Sequence, residues 1–204
     1  MGQVWACLLS LLLFVSTVRA QNKPYSGVAD TLIEGTWSSG TGAVTTGPEF
    51  YNLVNNTFNV PSVPGQAYSF HMINKTHGYW EQALYIIQSN GTRPLGCYTA
   101  QLIWQHGNYT IFPDTSIRLD PFTADGRMQL LDTCGTNPNK IYYYSQSEVM
   151  KGYDITTYIH YNEPTYKLQL YQFDGQLKPP MYLRYKPPQM MPTQGLHMIM
   201  YGLM

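Results

Sequence analysis

Apolar and polar positions alternate over short stretches of this chain, and no segment shows the 3.6-residue apolar recurrence of an amphipathic helix. The alternation is cleanest over residues 98–105. There Tyr98, Ala100, Leu102 and Trp104 fall on one face, and Thr99, Gln101 and Gln105 on the other. Residues 79–88 read the same way: Trp80, Leu84 and Ile86 interleave with Glu81 and Gln82, while Tyr85 and Ile87 leave the outer face partly apolar. Further strands are predicted at 37–45, 66–73, 116–122, 127–131, 141–146, 154–161, 166–173 and 181–185. Residues 108–112 continue the 98–105 strand past a break at Gly107. Asp125-Gly126 and Asp174-Gly175 each lie between two such runs, so a hairpin is predicted at both. Residues 48–64 read as a long polar loop, and Pro187-Pro188 ends the sheet region.

About nine or ten short strands at this spacing predict an all-β fold, a single antiparallel β-barrel-like domain with a β-sandwich as the alternative. A closed barrel leaves no exposed sheet edge, which suits a chain this rich in tyrosine. Gly35-Thr36-Trp37 resembles the Gly-x-Trp entry motif of lipocalin-like barrels, where the Trp packs across the closed end. That position favours barrel over sandwich.

The first 20 residues read as a signal peptide. An apolar run from Val4 to Val15, interrupted by Ser10, is shorter than the roughly 20 residues a bilayer requires. Val18 and Ala20 stand at the small-residue positions before a cut, although no Lys or Arg follows Met1. Residues 21–34 read as a flexible lead-in, 35–188 as the β-rich luminal domain, and 189–204 as an irregular Met-rich tail. Asn55, Asn74, Asn90 and Asn108 each have Thr two positions on, making four N-glycosylation acceptors. A leader followed by four acceptors predicts passage through the glycosylating compartment, with each occupied Asn facing water.

Of three cysteines, Cys7 leaves with the leader. An oxidising lumen favours pairing of Cys97 with Cys134, closing a loop of about 37 residues and contributing roughly 4 kcal/mol in the chain-entropy view. Two free buried thiols are the alternative. There is no Cys-x-x-Cys, so a thioredoxin-like redox role has no support. Charged residues are 12% of the chain and balance in sign, which argues against nucleic acid as a partner.

Longer blocks of sequence resemble a known family. Gly35-Thr36-Trp37-Ser38-Ser39 is followed by Thr46-Gly47-Pro48 and Phe50-Tyr51. Then come Pro61-Ser62-Val63-Pro64-Gly65, Tyr68-Ser69-Phe70, Gly78-Tyr79-Trp80-Glu81 and Leu102-Ile103-Trp104-Gln105-His106-Gly107 with Tyr109. Asp125-Gly126-Arg127 follows, and Leu168-Gln169-Leu170-Tyr171-Gln172-Phe173-Asp174-Gly175 is the strongest block, continuing into Met181-Tyr182-Leu183 and Tyr185-Lys186-Pro187-Pro188. In this order they resemble the fungal Rot one family (reversal of Tor lethality), over roughly residues 35–193. The resemblance implies an endoplasmic reticulum (ER) glycoprotein that assists folding of other secretory proteins and is tied to cell-wall synthesis, notably β-1,6-glucan levels. It implies secretory and cell-wall biosynthesis proteins as clients, other ER chaperones as partners, and Cys97 with Cys134 as the paired cysteines. Family members continue into a polar stretch and one C-terminal membrane helix, whereas this sequence ends at Met204 after a dissimilar Met-rich tail.

Enzyme signatures are missing: no Gly-x-Ser-x-Gly, no phosphate-cradling glycine loop and no His-Glu-x-x-His. No cofactor or metal is predicted. His71, His77 and Glu81 can be imagined as a metal site but read as polar residues at a strand end. Glycoside hydrolysis needs two facing carboxyls, for which Glu81, Glu148 and Asp154 are available. His106 reads as a strand-end hydrogen-bonding residue. A client- or sugar-contacting surface draws instead on aromatics: Trp37, Trp80, Trp104 and Tyr143, the last within Tyr142-Tyr143-Tyr144. Trp80 and Trp104, on the apolar face of alternating strands, read as core packing ahead of a contact role, and Tyr143 reads as exposed. A non-enzymatic folding factor is therefore the leading expectation, a carbohydrate- or small-ligand-binding barrel the alternative, and a glycosidase or transglycosylase the third.

Overall fold

A computed structural model describes residues 33–89, 97–133, 135 and 139–197. The signal peptide, most of the lead-in, Asn90, Cys134 and residues 198–204 lie outside the described residues. Every regular element described is a strand: β1 (Gly35–Ser39), β2 (Tyr51–Asn52), β3 (Thr57–Phe58), β4 (Gly65–Met72), β5 (His77–Ser89), β6 (Tyr98–Ile111), β7 (Ile117–Pro121), β8 (Arg127–Asp132), β9 (Asn139–Tyr143), β10 (Glu148–His160), β11 (Glu163–Gln172) and β12 (Met181–Tyr185). Among the described residues no helix is long and apolar enough to cross a membrane.

The strands run β5-β4-β1-β12-β11-β10-β7-β6, and β6 pairs back onto β5, so these eight form a closed antiparallel ring. The sheet is barrel-like, and β8 and β9 extend from β6 as a flap. The ring is strong at β5–β6, paired from His77↔Thr110 to Ser89↔Tyr98, and narrow at β10–β7, paired only from Glu148↔Leu119 to Met150↔Ile117.

Two apolar clusters follow from the two faces of the long strands. Inward residues Trp37, Tyr68, Phe70, Trp80, Tyr109, Leu119, Leu168 and Leu170 fill the ring. The opposite face of β4, β5 and β6 presents Ala67, Ala83, Ala100, Leu102 and Trp104, and packs under Phe50, Tyr51, Phe58 and Met191. The partly apolar outer face in the sequence pattern is thus the floor of a second core. Tyr51 stacks on Trp104 with ring centroids 4.4 Å apart.

Four predicted features differ from what forms. Residues 48–64 hold the small β2–β3 hairpin, turning through Asn56 at φ 52°. Gly107 does not break β6. A Cβ there would lie 2.0 Å from the Asp120 carbonyl oxygen, so glycine lets β7 lie close without interrupting the strand. Asp125-Gly126 is not a hairpin turn: β7 and β8 both pair with one edge of β6, at 107–111 and 99–104, and not with each other. The Asp125 carboxylate is occupied by the C-terminal segment, as described below. The Asp174-Gly175 hairpin forms, with Gly175 at φ 87° and Lys167↔Tyr182 and Leu168↔Met181 pairing β11 with β12. Ile33, inside the predicted flexible lead-in, is buried in the barrel core and its carbonyl accepts a 2.7 Å bond from Trp37 Nε1.

Candidate functional site

At one mouth of the barrel, where β1 ends, β4 and β12 begin and β11 closes, lies a cleft of about 680 Å³. Pro64, Leu84, Ile86, Ile87, Pro179 and Pro180 give it apolar walls, while Gln66, His160 and Lys178 supply polar groups. Ile86 and Ile87 are exposed, as are Val63 and Leu177 nearby in the chain.

Below the mouth sits a polar plug. Tyr68 Oη accepts from Gln82 Nε2 (2.5 Å) and Lys178 Nζ (2.8 Å) and donates to Glu148 Oε2 (3.2 Å). Glu148 also takes 2.7 Å and 3.0 Å bonds from Gln82 Nε2 and Lys178 Nζ. Gln105 Nε2 donates to Gln82 Oε1 at 2.9 Å, and Gln105 Oε1 accepts from Gln146 N–H. Such groups are tolerated in an interior only when mutually bonded. Burial first, then the neighbouring Glu148 charge, pushes the Tyr68 phenol well above its ordinary range, so it holds its proton. The plug and the aromatic core together fill the barrel.

A second set of polar groups holds residues 189–197, which form no strand but lie over the second core. Glu81 is fully buried and accepts from Gly47 N–H (2.6 Å), Trp104 Nε1 (2.9 Å) and Met191 N–H (2.5 Å). Burial raises its carboxyl to about 7 despite those three donors. Asp125 accepts from His106 Nε2 (2.8 Å), Leu196 N–H (2.8 Å), His197 N–H (2.7 Å) and His197 Nδ1 (3.0 Å). Burial opposes its ionisation, but the Leu196, His106 and His197 bonds outweigh that and hold it below the usual carboxylate value. His106, buried and stacked on Trp104, is lowered by desolvation against the pull of Asp125. The Gln189 carbonyl meanwhile accepts from Thr46 Oγ1 at 2.6 Å and Ser69 Oγ at 3.0 Å.

The residues singled out from sequence are therefore dispersed. Trp37, Trp80 and Trp104 are all buried, while Tyr143 is 80% exposed with the Arg127 guanidinium 4.3 Å above its ring. Asn55, Asn74 and Asn108 are exposed. Cys97 is disulfide-bonded, with Cys134 outside the described residues. Glu81 and Glu148 lie on opposite faces of the sheet, one under the tail and the other inside the ring, and Asp154 meets the Tyr171 hydroxyl. These three carboxyls share no cleft. His71 sits 3.6 Å from Glu34, and His77 bonds to Thr76, so neither joins Glu81. Sequence reading missed the clamp roles of Glu81 and Asp125. A lone acid in a strand otherwise free of charge, Tyr79-Trp80-Glu81-Gln82-Ala83-Leu84, was the available signal.

Among known proteins, a family described as a fungal chaperone for protein folding within the ER matches residues 33–201, so the match takes in the segment laid over the second core. Protein ROT1 of Yarrowia lipolytica is 39% identical over 90% of this chain and 71% of its own length. Protein rot1 of Schizosaccharomyces pombe is 42% identical over 82% of the chain and 69% of its own. Protein ROT1 of Saccharomyces cerevisiae is 39% identical over 86% and 66% respectively. No solved structure matches the chain. With the family match over residues 33–201 and relatives 39% and 42% identical across most of the chain, the chain belongs to the Rot1 family, fungal chaperones for protein folding within the ER.

Proposed function

We propose that this chain is a non-catalytic, ER-luminal holding chaperone that contacts partly folded secretory and cell-wall biosynthesis proteins at the barrel mouth. One observation carries the reading: the barrel interior is filled, yet its rim keeps an apolar cleft open to solvent. Exposed apolar surface on a secreted domain has a partner as its usual reason. The acids that chemistry would need are instead committed to structural bonds, Glu148 to Tyr68, Gln82 and Lys178, and Glu81 to three donors. Asn55, Asn74, Asn90 and Asn108 are proposed to carry glycans and Cys97 to pair with Cys134. Exposure of Asn55, Asn74 and Asn108 supports the first, and the disulfide at Cys97 supports the second.

Purified protein at several-fold molar excess should suppress aggregation of a denatured model client without ATP. No suppression overturns the reading. Ile86→Asp with Ile87→Asp should lower suppression several-fold with the melting temperature nearly unchanged. The cleft volume also lies within the range of small-ligand pockets, which supports the ligand-binding alternative. Retention on an immobilised β-glucan, competed by soluble glucan, would favour that alternative.

A further inference from the structure

The hairpin of β10 and β11 turns at Tyr161 and Asn162, both with positive φ (50° and 65°), the geometry of a two-residue type I′ turn. Such a turn makes its flanking pair, His160↔Glu163, the one that exchanges both backbone hydrogen bonds. Alternation then assigns the inward-bonding role on β10 to Tyr158, Thr156 and Asp154, opposite Thr165, Lys167 and Gln169. Ile159, Thr157 and Ile155 are the other class, and their N–H and C=O groups point away from β11. Pro164 opposite Ile159 agrees, because a proline has no N–H to give at that position.

On the side to which those groups point, β7 pairs with β10 only at Glu148, Val149 and Met150. Among the described residues no strand covers residues 154–160 on that side. This edge lacks the usual guards. It contains no proline and no lysine, and Asp154 is its one acid. It is rich in β-branched and aromatic residues, and Tyr158 and Ile159 are exposed, as is Tyr161 in the turn. Its end residue, His160, also lines the barrel-mouth cleft, so edge and cleft are continuous.

We infer that the free edge of β10 at residues 154–160 captures an extended, unfolded segment of a client as an added antiparallel strand. This rests on the holding-chaperone reading above and goes beyond it by naming what is recognised. The unpaired ladder of Ile155, Thr157 and Ile159 reads main chain, which every client has, while Tyr158 and Ile159 favour β-branched and aromatic neighbours across the strands. Recognition through backbone requires no shared client sequence. The client must be extended, so a folded protein is not held.

The test uses the full chain with reduced, carboxymethylated lactalbumin as a permanently unfolded probe, followed by amide hydrogen exchange. Bound probe should slow exchange at Ile155, Thr157 and Ile159 at least tenfold while Tyr158 and Thr156, already bonded to β11, change little. Thr157→Pro should cut probe affinity at least tenfold, because its N–H is not used within the hairpin. Thr157→Lys, which keeps the backbone and adds an edge charge, should weaken binding in the same direction and covers the case in which the proline variant does not fold. Protection confined to residues 84–87 and 177–182 would overturn the edge while leaving the cleft as the client site. Protection of the edge that rises with protein concentration in the absence of probe would assign it to a second copy and overturn the client assignment. Absence of any binding by the unaltered protein would overturn both.

Discussion

Single side chains in this protein are decided by whether their polar atoms find partners. Tyr68 and Tyr109 are both buried tyrosines on the inner face. The Tyr68 hydroxyl has three partners, whereas the Tyr109 hydroxyl has none among the described residues. Tyr68→Phe should therefore destabilise by about 1–3 kcal/mol, since Lys178 and Gln82 lose a shared acceptor, while Tyr109→Phe should be neutral or stabilising. Denaturant titrations of both variants check the contrast. Glu81 makes a prediction in pH. Its carboxyl rises from 4.5 to about 7 on folding, so the folded state holds a proton that the unfolded state has lost between those values. Its contribution to stability is greatest below about 4.5, falls as pH rises to about 7, and is level above, a total of about 3 kcal/mol. Asp125 has the opposite sign, its contribution being present above the ordinary Asp value and lost as pH falls. Subtracting the stability curve of Glu81→Gln from that of the unaltered protein isolates the Glu81 slope. A flat difference between pH 5 and 7 would contradict the assignment.

Elements show where alternation is sufficient and where it is not. Strands 65–72, 77–89 and 181–185 were legible because apolar side chains recur at every second position along the face that fills the ring. The Asp125-Gly126 signal misled because the same dipeptide chemistry serves two ends. A turn needs the small residue, but here Gly126 admits the Tyr144 carbonyl, 1.9 Å from where a Cβ would stand, and Asp125 caps a segment 71 residues away. Nothing local distinguishes these uses. The break expected at Gly107 failed for the same reason, as that glycine answers to β7 and not to its own strand. Gly107→Ala should cost about 3 kcal/mol or more, because the clash is with backbone of β7 that cannot rotate away. Thermal melts check this, with Gly40→Ala as a comparison, where open space surrounds the new methyl but a φ of 56° still opposes it by about 1 kcal/mol.

The molecule as a whole is a ring closed by β5 and β6 with a covering layer that comes from both before β4 and after β12. Removing everything after Pro188 should take Met191 off the second core, cost Glu81 its Met191 N–H donor while the Gly47 N–H stays, and leave Asp125 without the Leu196 and His197 main-chain donors. The expected result is a drop in melting temperature of several degrees and new binding of an apolar dye, with strand content by circular dichroism preserved. The cross-link at Cys97 acts at the same scale, and Cys97→Ala should lower stability by roughly 2–4 kcal/mol. Strand character, the buried tryptophans and the residues that resemble the Rot1 family were open to reading in the chain alone, because period-two alternation and contiguous blocks are properties of neighbours in sequence. Ring closure, the second core, the clamps on residues 189–197 and the uncovered edge of β10 depend on which distant strands meet. Hydrogen bonding between strands is blind to sequence, so only the packed molecule settles those pairings.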